Sequence, residues 1–185
     1  MKKAKKIAIT LLILLLTMIL GALLVNRFFP VRHMDEIEKH AKTYDLSPAL
    51  VCAVIRTESG FRANVVSKAG ASGLMQLMQS TADWGSMEIG LRDYDYTRIH
   101  EPGLNIQLGC WYLRKLIDQY GFEETALAAY NAGSGNVSNW LSNPQYSTDG
   151  QTLDVIPFGE TARYVKKIER NKQIYNILLR IRGHL

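Results

Sequence analysis

From Ile7 to Val25 the chain carries no charged residue and is dominated by Leu and Ile. A helix that spans a bilayer needs about 20 apolar residues, and this run nearly supplies them. It reads as an appendage, because 185 residues suffice for one domain with a proper core plus such a segment. A cleavable signal peptide has a shorter apolar core and ends on small residues. Here Gly21 and Ala22 are small, but Leu23 and Leu24 follow, and no Cys is placed for lipidation. The favoured expectation is an uncleaved signal anchor over 7–26 behind a basic tip at 1–6, with a cleaved leader as the alternative. Lys2, Lys3, Lys5 and Lys6 outnumber Arg27 and Arg32 on the far side, which predicts a cytoplasmic N-terminus. The expectation is a single-pass cell-membrane protein with its domain on the extracytoplasmic side. Residues 27–33 read as a stalk, with Phe28 and Phe29 at the interface and Pro30 ending the helix. The folded domain is expected over 34–185.

The anchor also accounts for the charge. Of 22 Lys and Arg, the six just named precede His33, leaving 16 bases against 17 acids from there on. The excess of bases therefore belongs to the anchor and lends no support to a nucleic-acid partner.

Helical periodicity dominates the remainder, and no stretch alternates with period two for long. Helices are expected over 34–44, 48–59, 102–120, 123–131 and 158–181, with one or two turns more at 136–141. Ile37, Ala41 and Tyr44 mark the buried face of the first. Ser80 and Thr81 read as caps of a brief helix toward Trp84, and 85–102 reads as irregular. The fold class expected is all-α, with room for a small hairpin at 73–77. Cys52 and Cys110 lie in apolar helical patterns, either as buried thiols or as a disulfide pair.

One carboxylate stands out against that pattern. Val51, Val54, Ile55 and Glu58 share a helical face, between a capping Ser47-Pro48 and a terminating Gly60. An acid closing an apolar face has its pKa raised by desolvation, as a general acid near neutral pH requires. The other reading is a solvated Glu on a last turn. No CxxC, HExxH, GxSxG or phosphate-binding Gly-rich loop is present, and His33, His40, His100 and His184 show no metal spacing, so no metal and no cofactor are expected. What remains is carboxylates, amides and tyrosines, which suit sugars: amides bond hydroxyls and acetamido groups while rings stack on pyranose faces.

The motifs appear in order as Glu58-Ser59, then Gly73-Leu74-Met75-Gln76 and Ala129-Tyr130-Asn131-Ala132-Gly133. Ile156-Pro157-Phe158-Gly159-Glu160-Thr161 comes last, with Tyr164 four residues after the acid. This series resembles the SLT-type lytic transglycosylase family over roughly residues 35–175. One departure is Gln79, where the family usually has Pro. The resemblance implies a lysozyme-like α domain that cleaves the MurNAc–GlcNAc β-1,4 bond of peptidoglycan strands, leaving a 1,6-anhydro ring. It implies Glu58 as the catalytic acid, with Ser59, Met75, Gln76, Tyr130, Asn131, Glu160 and Tyr164 at the glycan cleft. Two other readings stay open. A hydrolytic muramidase like the goose-type lysozymes would need a water-positioning carboxylate, for which Asp83, Asp93 and Asp95 are the candidates. A catalytically silent peptidoglycan-binding protein is the third.

Overall fold

The computed structural model describes residues 2–184; Met1 and Leu185, the outer limits of the expected tip and domain, lie outside them. The chain divides into two compact units after Arg32. The first is a helix, α1 (Lys2–Phe28). Its segment Lys5–Phe28, 24 residues, is long and apolar enough to cross a membrane, since the rise per residue gives it about 36 Å against a hydrocarbon core of about 30 Å. Its Leu and Ile side chains face outward all round.

The second unit is helical: α2 (Met34–Thr43), α3 (Pro48–Glu58), α4 (Gln79–Glu88), α5 (Pro102–Tyr120), α6 (Glu123–Ala132), α7 (Ser134–Leu141) and α8 (Gly159–Ile181), with a 3-10 turn at Tyr96–Arg98. At its centre lies α3, apolar on every side from Ala49 to Ile55 and wholly buried there. A helix apolar all round is stable in water only inside a core, and here α2 and α8 cover it. Its start is local chemistry: the Ser47 hydroxyl accepts from the Leu50 amide at 3.1 Å and Pro48 takes the first position. Its end comes where the Ser59 and Gly60 amides turn back to the Ile55 carbonyl and Gly60 takes a left-handed φ of 62°.

The loop between α3 and α4 carries the Gly73–Gln76 stretch of the motif series. Among the described residues no strand forms there. The expected hairpin reduces to two isolated antiparallel bridges, Val66 with Ser72 and Ser72 with Leu77. Gly73 and Gln76 both sit in the left-handed region, at φ 84° and 50°, so the chain reverses before a ladder can extend. Helix α5 fastens this loop from behind. Asn105, fully buried, accepts from the Met75 amide at 2.7 Å and donates to the Ser72 and Ile99 carbonyls at 3.1 and 3.0 Å. One turn on, Gly109 gives room to Met75, whose side chain any Cβ there would overlap.

Several expectations need correction. Ser80 and Thr81 do not cap α4. The helix starts at Gln79 with Met78 as N-cap and runs on to Glu88, where irregular chain was expected. Gln79, the departure from the motif series, therefore occupies a first helical position, where Pro is readily accommodated. Tyr44 ends α2 only half-buried. Of the two readings left open for Cys52 and Cys110, that of buried free thiols holds, and burial pushes the Cys52 thiol up to about 12.

Candidate active site

Glu58 ends α3 beside a cavity of about 420 Å3. The loop supplies one wall of it through Ser67, Lys68, Gln76 and Met78, α6 supplies Tyr130 and Asn131, and the first turn of α8 supplies Glu160. A second cavity of about 310 Å3 continues along the same surface, sharing Gln76, Met78, Tyr130 and Asn131 and adding Thr81 and Tyr112. The two form a groove of the kind an extended polar polymer can lie in, with Glu58 at one part of it.

Burial raises the Glu58 carboxyl from 4.5 to about 7, against the opposing pull of Tyr164 and Lys167. The Tyr164 hydroxyl, on α8, donates to Glu58 Oε1 at 2.6 Å. That bond favours the carboxylate, so desolvation wins over it. Burial also pushes the Tyr130 and Tyr164 phenols well above 10, which keeps both as protonated donors. Tyr130 uses its hydroxyl to hold the Met75 carbonyl at 2.8 Å. The cavity therefore contains an acid that is half-protonated near neutrality, held in one orientation by a buried phenol.

The other motif residues divide into two groups. Gln76, Tyr130, Asn131 and Glu160 line the cavity with Glu58. Gln76 spends its amide nitrogen on the Val65 and Gly73 carbonyls at 2.9 and 2.8 Å. Asn131 accepts from the buried Thr161 hydroxyl at 2.8 Å, which ties α6 to α8. Ser59 and Met75, expected at the cleft, stand behind its wall. Ser59 is buried with its hydroxyl on the Leu74 carbonyl at 2.7 Å, and the Met75 side chain is fully buried beside Gly109. Of the three aspartates weighed for positioning water, none lines the Glu58 cavity. Asp83 accepts from Tyr94 at 2.7 Å, Asp95 caps the 3-10 turn, and Asp93 belongs to a separate cavity with Arg92 and Arg98.

Sequence reasoning missed Asn105, and it named Thr161 in the motif series without giving it a role. Asn105 could have been found by the signal that exposed Glu58, since it precedes Gly109 and Leu113 on the buried stripe of α5. For Thr161 the motif marked the position, but its bond to Asn131, 30 residues away in the chain, is visible only in the fold.

Residues 35–152 match the family model described as the transglycosylase SLT domain, and the chain belongs to that family. It is 37% identical over 143 residues to a soluble lytic murein transglycosylase of Salmonella typhimurium, covering 76% of this chain and 22% of that one. It is 28% identical over 177 residues to a membrane-bound lytic murein transglycosylase C of Edwardsiella ictaluri, covering 78% of this chain and 46% of the relative. The fold superimposes on an inactive Glu-to-Gln mutant of lytic transglycosylase Slt from Pseudomonas aeruginosa with a TM-score of 0.76 and 34% identity, across 84% of this chain and 26% of that chain. The all-α, lysozyme-like architecture is thereby that of the lytic transglycosylases. The chain spans less than half the length of these relatives.

Proposed function

We propose that this chain is a membrane-anchored lytic transglycosylase. It cleaves the MurNAc–GlcNAc β-1,4 bond of peptidoglycan without water and leaves 1,6-anhydro-MurNAc ends. The observation that carries the reading is Glu58: a single carboxyl with its pKa raised to about 7, bonded to Tyr164 and facing a groove of amides and tyrosines. Protonated Glu58 gives its proton to the glycosidic oxygen as the bond breaks with oxocarbenium character. The substrate's own N-acetyl group stabilises the cation, so no second carboxylate is needed as nucleophile. Glu58, now a base, takes the proton of the C6 hydroxyl, which closes on C1 with the advantage of an intramolecular attack. Gln76, Tyr130, Asn131 and Glu160 line the sugar's path, Tyr164 orients the acid, and Ser59 and Met75 set the loop behind it. In this reading 7–26 crosses the membrane once, 27–33 is the stalk, and 34–185 acts on glycan strands outside the cytoplasm.

Hydrolysis remains as a second reading because Glu160 shares the cavity with Glu58. Mass spectrometry of the fragments released from purified sacculi separates the two. Anhydro products are expected; fragments heavier by one water would transfer the reading to a muramidase, and no fragments at all would remove both.

The pH profile tests the role of Tyr164. Since Glu58 starts protonated, kcat/KM should fall tenfold per unit above its pKa of about 7. Tyr164→Phe removes the bond that favours the carboxylate, so this alkaline limb should move up by on the order of one pH unit, whatever happens to the maximum rate. A limb that stays in place would show that Glu58 does not govern it.

A further inference from the structure

The groove holds one cation that the reaction above does not use. Lys68 lines the Glu58 cavity from the loop wall, and its ammonium has no ion pair or hydrogen bond among the described residues. Neither cavity carboxylate lies within ion-pairing reach of it, and the cation acting on Glu58 is Lys167.

The backbone beneath Lys68 is held firmly. The Gly70 amide donates to the Ser67 carbonyl at 3.0 Å and the Ser67 amide to the Ala71 carbonyl at 2.8 Å. The Ser67 hydroxyl accepts from the Ala71 amide at 3.0 Å, and Gly70 takes a φ of 89° that favours glycine. These bonds make a four-residue turn with Lys68 at its second position. The turn therefore fixes the backbone from which the exposed Lys68 side chain reaches over the groove wall, while Glu160 lines the α8 side. An unpaired cation in a binding groove attracts an anion on the ligand and repels nothing neutral.

We infer that Lys68 is a specificity residue that reads a carboxylate borne by the muramyl substituent next to the cleaved bond. This rests on the proposed function, because a sugar polymer without such substituents offers Lys68 no partner. Two sources share this chemistry: a carboxylate of the stem peptide, or the lactyl carboxylate freed when the peptide is absent.

Steady-state kinetics of the full-length chain in detergent, on three soluble strands, test it. The first carries free stem peptides, the second carries the same peptides with their carboxylates capped by methylamine, and the third has been stripped of peptides by an amidase. Lys68→Gln should lose about five-fold in kcat/KM on the first, mostly in KM, and lose nothing on the capped strand. Lys68→Arg should restore the rate. A loss on the first strand and none on the stripped one assigns the stem peptide, whereas a loss on the stripped strand alone assigns the lactyl carboxylate, which is amide-linked on the other two. Equal losses on all three strands, capped included, or no loss on any, would overturn the inference. If the wild-type chain cleaves none of them, the proposed function itself fails and takes this inference with it.

Discussion

Glu58→Gln should reduce the release of fragments from sacculi by about a thousand-fold or more, while the folded domain becomes more stable at alkaline pH. The first effect follows from losing the only proton donor in the mechanism, since general acid–base groups contribute about 10²–10⁴-fold. The second follows from linkage. Unfolded, Glu58 titrates near 4.5; folded, burial holds it near 7. A raised folded pKa means that the contribution of Glu58 to stability is fully present below pH 4.5 and is lost as pH rises through about 7. Gln carries no charge at any pH and escapes that loss. With the side chain partly exposed at the cavity, the gain at pH 9 should be about 1–3 kcal/mol, and at pH 4 close to zero. Denaturant midpoints of wild type and variant at the two pH values check it. A variant that keeps a tenth of the activity would show that the carboxyl is not the donor, and one less stable than wild type at pH 9 would show that burial does not destabilise its charged form. The combination of lost activity and gained stability is what a strained catalytic group produces and an ordinary surface Glu does not.

Asn105→Ala should be the most damaging substitution away from the cavity lining. The side chain is fully buried and serves three backbone groups, the Met75 amide and the Ser72 and Ile99 carbonyls. Alanine leaves the Met75 amide and the Ile99 carbonyl without a partner in the core, while the Ser72 carbonyl keeps the Leu77 amide at 3.0 Å. With a buried unsatisfied group costing about 1–3 kcal/mol, the loss should total about 3–5 kcal/mol, allowing for relaxation. Activity should fall as well, because the same backbone presents Gln76 to the cavity and its Met75 carbonyl anchors Tyr130. Thermal or denaturant unfolding measures the first effect, and kcat/KM at a temperature where the variant remains folded measures the second. A midpoint unchanged within about 1 kcal/mol would mean that the loop is held by something other than Asn105.

How much of this was legible beforehand depended on the range of the interaction. Ser47, Pro48 and Gly60 bound α3 through contacts with their chain neighbours, and Pro102 and Gly121 bound α5 in the same way. Such caps are written in a few adjacent residues, so both helices were readable. The start of α4 was not, because Met78 caps it without a side-chain bond. Ser80 and Thr81 are common capping residues, and here they lie inside the first turn. Half of the cavity lining was anticipated through the motif series, in which Glu58, Gln76, Tyr130, Asn131 and Glu160 all appear. Ser59 and Met75 belong to the same motifs, yet they turn inward to bond and fill the wall. A motif records which residues recur together and not which way each one faces.

By itself the sequence determined that the domain is helical, that α1 is long and apolar enough to span a membrane, and that one acid closes an apolar helical face. Each of those rests on spacing and composition, which are local properties of the chain. Only the tertiary structure decided what that acid can do. Tyr164 lies 106 positions from Glu58 along the chain and 2.6 Å from it in space. The desolvation that lifts the carboxyl to about 7 comes from the surrounding fold and not from its neighbours in sequence. A pKa is set by the surrounding dielectric and charge, and those exist only once α3, α6, α8 and the loop have closed around Glu58.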